Sequence, residues 1–278
     1  MKSRSWNYLP RVALGTFRGR FLEQHDVVIK GPRLHDEKYI RGALHEISIW
    51  RKLKHRNILT LLGSSVHDGT IHMVSPFMEN GTALEYVRRN PSANTLQLLV
   101  EVAQGLEYMH TLDMPIIHGD LKGDNVLVSE AGVAYLSDFG LSRPLVYGHF
   151  APASGDTEPS SQRATGWNVR YMAPEVILGD APKSLASDIY SLGRVMEELF
   201  TAEIPFGRST SDYDIIMRVT GGIHDRPTGS GTISRGLDDC IWMIMLHCWD
   251  IEPSARPHIS DVRQRLCSSL HRRTQKCH

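Results

Sequence analysis

The chain has 278 residues, with 31 basic and 31 acidic side chains, 41% hydrophobic and 22% charged residues. That length holds one large domain or two packed lobes with a real core. Zero formal net charge argues against nucleic acid as a partner, and no apolar run is long enough to span a bilayer, so no membrane partner is expected either.

Four cysteines (Cys240, Cys248, Cys267 and Cys277) fall in the last quarter, and none forms a C-x-x-C pair. Zinc and redox chemistry are therefore poor readings, and buried thiols in a reducing, cytoplasmic setting are the better one. The first 22 residues contain Lys2, Arg4, Arg11, Arg18 and Arg20 and no acid. This composition resembles a targeting presequence, but the stretch fits better as the basic edge strand of the domain.

In chain order, residues 12–30 read as short strands ending in Val27-Val28-Ile29. Residues 37–54 read as a helix with an apolar stripe at Ile40, Ala43, Leu44, Ile47, Trp50 and Leu53. Two apolar, strand-like runs follow, Ile58–Leu62 and Ile71–Phe77, split by the turn Asp68-Gly69. After Asn80-Gly81 a strongly periodic helix is expected over 94–111, then short strands at Asn125–Val128 and Val133–Leu136. Residues 144–166, rich in Pro, Gly, Ser and Thr, read as a long functional loop. Helices are expected at 174–180, 186–202, 211–219, 235–248 and 258–269. A strand-rich first third and a helical remainder predict an α+β fold in two lobes.

The chemistry concentrates in residues 118–128, HGDLKGDNVLV. Phosphoryl transfer needs a group to orient and deprotonate a hydroxyl, a cation to offset charge on the moving phosphoryl, and oxygen ligands for Mg²⁺. Asp120, Lys122 and Asn125 supply these types in that order. Asp138-Phe139-Gly140 follows after a short strand, and a DFG at that distance from HxDxKxxN is a strong pairing.

With these motifs the chain resembles the eukaryotic protein kinases, in the tyrosine-kinase-like branch of the Ser/Thr kinases, from about Val12 to about Leu270. The resemblance implies a bilobal kinase fold: a small strand-rich lobe with one helix over residues 1–78, a larger helical lobe over 79–270, and a tail at 271–278. It implies ATP and Mg²⁺ as cofactors and a protein as substrate. Asp120 would be the catalytic base, with Asn125 and Asp138 as metal ligands. Val27-Val28-Ile29-Lys30 matches the family's VAIK strand, so Lys30 would hold the α- and β-phosphates and pair with Glu46. Ser75 would back the adenine pocket. Pro76 offers a carbonyl, and Met78 both N–H and C=O, to the adenine edge. Val12, Val28 and Leu127 complete the nucleotide-binding set. Tyr171-Met172-Ala173-Pro174-Glu175 matches the family's APE segment. Arg256 would pair with Glu175, and Asp188 would brace the catalytic loop. Ser/Thr rather than Tyr specificity rests on Lys122.

Three departures from the pattern carry expectations of their own. With Val12 as the valine over adenine, the loop glycines would fall at Ser5, Asn7 and Pro10, and none is glycine. The first strand is then short or absent, or the start truncated, and ATP affinity weak or transfer slow. Gly119 replaces the arginine of HRD, so a phosphate at Ser160, Ser161 or Thr165 has one cation fewer, and activity should not depend on it. Asn168 replaces a threonine expected to touch Asp120 and Lys122, and Val28 is bulkier than the usual alanine. These departures leave open a second reading, a catalytically weak or inactive pseudokinase acting as scaffold or allosteric partner. A Walker-type GxxxxGK[ST] is absent, which excludes a P-loop enzyme.

Overall fold

The computed structural model describes residues 11–13, 16–21, 25–31, 37–67, 70–145 and 166–276. The first lobe is an antiparallel sheet of five strands, β1 (Arg11–Ala13), β2 (Thr16–Phe21), β3 (His25–Lys30), β4 (Gly63–His67) and β5 (Thr70–Pro76), in the order β1-β2-β3-β5-β4. One helix, α1 (Glu37–Trp50), lies between β3 and β4. Alternation along β3 sends Val27 and Ile29 into a small core with Val74, and places Val28 and Lys30 on the opposite face. Arg18 and Arg20 of β2 both pair with Asp26 across the sheet, so this part of the basic start is strand.

The second lobe is built on α3 (Thr95–His110) and α5 (Leu185–Thr201). Asn94 caps α3 by accepting the Gln97 amide, and Leu99, Val102, Ala103 and Leu106 of that helix are fully buried. A leucine so placed contributes about 2 kcal/mol relative to exposure. Ser184 and Ser187 form a reciprocal cap at the start of α5. Two strand pairs lie between these helices: β6 (Ile116–Ile117) with β9 (Arg143–Pro144), and β7 (Val126–Val128) with β8 (Ala134–Leu136). They place the segments 118–125 and 137–142 side by side. The remaining helices are α2 (Ala83–Arg89), α4 (Pro174–Leu178), α6 (Asp212–Thr220), α7 (Ser230–Ser234), α8 (Asp239–Cys248) and α9 (Ile259–Lys276).

Several expectations need correction. The apolar run Ile58–Leu62 is not a strand: Ile58 and Leu59 are buried core residues, Ile58 makes a single bridge to Leu136, and the strand is the polar Gly63–His67. Burial between the lobes draws those side chains inward, and the ladder to β5 forms one segment later. The helix expected over 37–54 ends at Trp50. The helix expected over 235–248 starts only at Asp239, because Gly236 is left-handed (φ 95°) and Asp238 caps the Ile241 amide. α9 runs on to Lys276 through most of the expected tail. Helix α2 was not anticipated, although Thr82 and Glu85 form a full capping box at its start. The Asp68-Gly69 turn, Cys277, most of the 144–166 loop with Ser160, Ser161 and Thr165, and Ser5, Asn7 and Pro10 lie outside the described residues.

Candidate active site

The loop 118–125 is fastened from below by α5. Asp188 accepts the backbone amides of His118 (2.7 Å) and Gly119 (2.9 Å), and a hydrogen bond from His110 Nε2 (3.0 Å). His118 is fully buried, which holds its imidazole below the usual pKa despite the acids nearby. Its Nδ1 accepts the Asp120 amide and its Nε2 donates to the Ser137 carbonyl, as a neutral ring can. On this base Asp120 Oδ2 accepts from Lys122 Nζ at 2.7 Å and from Asn125 Nδ2 at 3.1 Å. Asn125 Nδ2 also donates to the Asp120 carbonyl, at 2.7 Å. The loop therefore brings Asp120, Lys122 and Asn125 together.

The DFG segment joins this loop directly, because Ser137 donates both its amide and its hydroxyl to the Asn125 carbonyl. Asp138 adopts a left-handed backbone (φ 61°), uncommon outside glycine but tolerated best by Asp and Asn. Its Oδ1 accepts Lys30 Nζ at 2.9 Å, and the same ammonium reaches Glu46 Oε1 at 2.8 Å and Oε2 at 3.1 Å. Burial opposes the charge on Lys30, but Asp138 and Glu46 outweigh it and raise the amine to about 12. Burial works against Asp138 too, yet Lys30 holds its carboxyl below the usual range. Glu46 goes the other way: burial, with Asp138 nearby, lifts it above the usual range against the pull of Lys30. Lys30 thus links α1, β3 and the DFG segment in one ion cluster.

Between the lobes, the hinge is held on both sides. Val28 and Val27 of β3 pair with Ser75 and Pro76, Thr82 makes a bridge with Leu127 of β7, and Asn80 and Gly81 exchange backbone hydrogen bonds with Val128. Val28 and Leu127 therefore border one segment, 75–82, which contains half-buried Met78. The Met78 carbonyl accepts the Gly81 amide, and Ser75 is buried. Val12 lies on β1 rather than on the strand after the expected loop, and the β2 residue paired with Lys30 is Thr16. β1 and β2 connect through Leu14-Gly15, outside the described residues, as are the side chains of Val12 and Asn168. Gly119 has φ 76°, and a Cβ there would lie 2.7 Å from the Leu141 carbonyl.

Sequence reasoning missed three supports of this site. Phe139 is fully buried between Trp50 (ring centroids 5.8 Å apart) and His118 (5.6 Å), so α1, DFG and the catalytic loop meet through tilted aromatic contacts. The Trp50 indole N–H donates to the Leu59 carbonyl at 2.5 Å, fixing the end of α1. The third is Glu198 of α5, buried beneath the loop. The signal for it was weak, since Glu198 has Glu197 and Arg194 as well as Val195 and Leu199 for neighbours on α5. Arg256 and Glu175 form a buried bidentate pair, at 2.8 and 2.7 Å.

The donor set suits a small hard cation. Asn125 commits its Nδ2 to Asp120, which leaves Oδ1 for a metal, and Lys30 takes Oδ1 of Asp138, which leaves Oδ2. Among the described residues no cluster of three His, Cys, Asp or Glu could cage a metal. Two protein oxygens fit Mg²⁺, which keeps waters and phosphate oxygens as its other ligands. A groove of about 660 Å³ between α8 and α9, lined by Cys240, Met243, Arg265 and Arg272 among others, shares no residue with this cluster.

A two-lobed fold with a lysine–glutamate pair above and an Asp–Lys–Asn loop facing a DFG below defines a protein-kinase-type phosphotransferase site. The sequence comparisons agree. A family model described as protein tyrosine and serine/threonine kinase matches residues 10–266, and the chain belongs to that family. It is 31% identical over 242 residues to a probable cell division protein kinase of Encephalitozoon cuniculi, covering 86% of each chain. It is 27% identical to the serine/threonine-protein kinase STY17 of Arabidopsis thaliana and 28% to the tyrosine-protein kinase Src64B of Drosophila melanogaster, covering 92% and 87% of this chain. The chain spans only 43% and 42% of those last two relatives. No described helix is long and apolar enough to cross a membrane.

Proposed function

We propose that the protein transfers the terminal phosphoryl group of ATP, with Mg²⁺, to a serine or threonine hydroxyl of a protein substrate. The observation that carries this reading is Lys30 bonded at once to Glu46 and Asp138, with Asp138 linked through Ser137 to the Asp120–Lys122–Asn125 loop. In this arrangement Lys30 binds and orients the phosphates, held in place by Glu46. Asp120 accepts a hydrogen bond from the incoming hydroxyl and takes its proton at a carboxylate oxygen. Lys122, 2.7 Å from Asp120, offsets charge on the transferred group. Asn125 Oδ1 and Asp138 would hold Mg²⁺, which neutralises charge on the phosphate oxygens when bound.

Val28 and Leu127 flank the hinge from the two lobes as the walls of the adenine site, with Ser75 behind and Pro76 and Met78 on its edge. The Ser/Thr preference rests on Lys122 and is supported by similarity to a kinase named for that specificity. The complete polar set favours an enzyme over a scaffold. The lack of glycine at Ser5, Asn7 and Pro10 supports weak nucleotide affinity.

The test compares wild type with Asp138→Ala in phosphate incorporation into a generic basic protein, with phosphoamino-acid analysis of the product. Equal incorporation by both proteins refutes the reading. Thermal stability with Mg-ATP is the companion measurement: ligand at a hundred times its dissociation constant adds about 2.7 kcal/mol. Stabilisation of wild type without transfer marks the scaffold instead.

A further inference from the structure

β2 brings an arginine to the roof of the cleft. Its register on β3 sets Phe17 against Ile29, Arg18 against Val28 and Gly19 against Val27. A Cβ on Gly19 would meet Ile29 at 3.2 Å and Val27 at 3.8 Å, so Gly19 faces the small core of the first lobe. Alternation then turns Arg18 to the other face, with Val28 and Lys30. Val28 in turn pairs with Ser75, so Arg18, Val28 and Ser75 form one row across the sheet that ends at the hinge. Arg18 thus stands in the roof position expected of Val12.

The side chain is fixed from two directions. Its guanidinium lies 4.1 Å from the centre of the Phe77 ring and pairs with Asp26, whose carbonyl accepts the Phe77 amide. Arg20 reaches the same carboxylate at 3.5 Å. Arg18 Nε is shielded from solvent and has no hydrogen-bond partner among the described residues. A shielded donor without an acceptor costs stability, and a ligand that supplies the acceptor removes that cost.

Phe77 lies between Pro76 and Met78, which flank the adenine edge in the kinase reading. We infer that Arg18 is a nucleotide-contact residue: its methylene stem covers the base beside Val28, and its guanidinium, held by Asp26, latches β2 onto the hinge at Phe77 and closes the outer edge of the site. This inference rests on the kinase reading above. Lys30, paired with Thr16 one row further in, marks the phosphate end, so Arg18 acts on the base and not on the phosphates. The latch supplies from a side chain part of the cover that a glycine-rich loop would supply from backbone. Each methylene that covers the base contributes about fourfold in affinity.

The test measures the dissociation constants of adenosine and of Mg-ATP by calorimetry, with steady-state kcat, for the full chain and for Arg18→Ala and Asp26→Asn. Arg18→Ala is expected to weaken both ligands by the same factor of about ten, with kcat at saturating ATP within about twofold of wild type. Asp26→Asn, which loosens the guanidinium and leaves the stem, should weaken both by about fourfold. The Arg18–Asp26 pair is partly open to solvent, so both variants should fold, and Asp26→Asn decides the matter if Arg18→Ala does not. A merely structural pair lowers the urea midpoint and leaves both constants within about twofold of wild type, which overturns the inference. A loss confined to Mg-ATP overturns it too, since that places Arg18 on the phosphates. Wild type that binds neither ligand refutes the kinase reading and this inference together, whereas wild type that binds both, with Arg18→Ala unchanged, refutes this inference alone.

Discussion

Arg256→Ala should unfold the helical lobe far more readily than any surface change. Arg256 Nη1 and Nη2 hold both oxygens of Glu175, and the same guanidinium donates to the carbonyls of Asp250 (2.8 Å) and Ala186 (3.0 Å). The Arg256 side chain is wholly buried and that of Glu175 is 10% exposed. Truncation leaves an acid without its counter-charge, two or more carbonyls without donors, and a void beside the Tyr190 ring. Breaking one side of such a pair costs about 3–5 kcal/mol. For a lobe of this size, each 1 kcal/mol moves the melting temperature by about 2–4 °C, so a fall of about 10 °C is expected. Urea denaturation is the assay: the midpoint should drop with little change in slope. The double replacement Arg256→Met with Glu175→Leu should recover much of the loss, because two apolar groups leave no buried charge. An Arg256→Ala protein within 1 kcal/mol of wild type, or a double variant no better than the single, refutes the reasoning.

Three further outcomes are expected. Glu46→Gln weakens the hold on Lys30 and should lower kcat/KM for phosphoryl transfer by about 10–100-fold in steady-state kinetics, with the fold intact by circular dichroism. Gly119→Arg does not improve the protein: a side chain at φ 76° against the Leu141 carbonyl should cost about 1–3 kcal/mol, read as a lower urea midpoint. His224 is pushed down to about 4 by burial and by the Arg194 guanidinium beside it. Its folded value lies below the unfolded value of about 6.5, so its contribution to stability is present above that pH and is lost as pH falls toward 4. The difference in urea midpoint between wild type and His224→Gln should shrink over that window, and a constant difference from pH 7 to 4.5 contradicts the assignment.

The catalytic loop was legible because its chemistry is local. Asp120, Lys122, Asn125 and Asp138 fall in two short motifs joined by one hairpin, so their spacing in sequence is nearly their spacing in space. The helical lobe was legible for a related reason, since the 3.6-residue period of α3 and the polar caps at Asn94 and Ser184 are written in neighbouring residues. The strand that carries Val12 was assigned to the wrong side of the connection because the registration of β1 on β2 depends on a connection whose length no local pattern specifies. The strand expected at Ile58–Leu62 failed because apolar runs of that length fit a strand and a buried interlobe linker equally well.

The sequence by itself determined which groups are available: an Asp–Lys–Asn loop, a DFG, a VAIK-like strand, and a two-lobed α+β order of elements. Only the tertiary structure decided that Lys30 reaches Asp138 as well as Glu46, that Phe139 is clasped between Trp50 and His118, and that Glu198 fills the side-chain space of Gly123. Those contacts join residues separated by tens of positions or more. Packing density and the requirement that buried charges find partners select them, and neither acts until the chain has closed on itself.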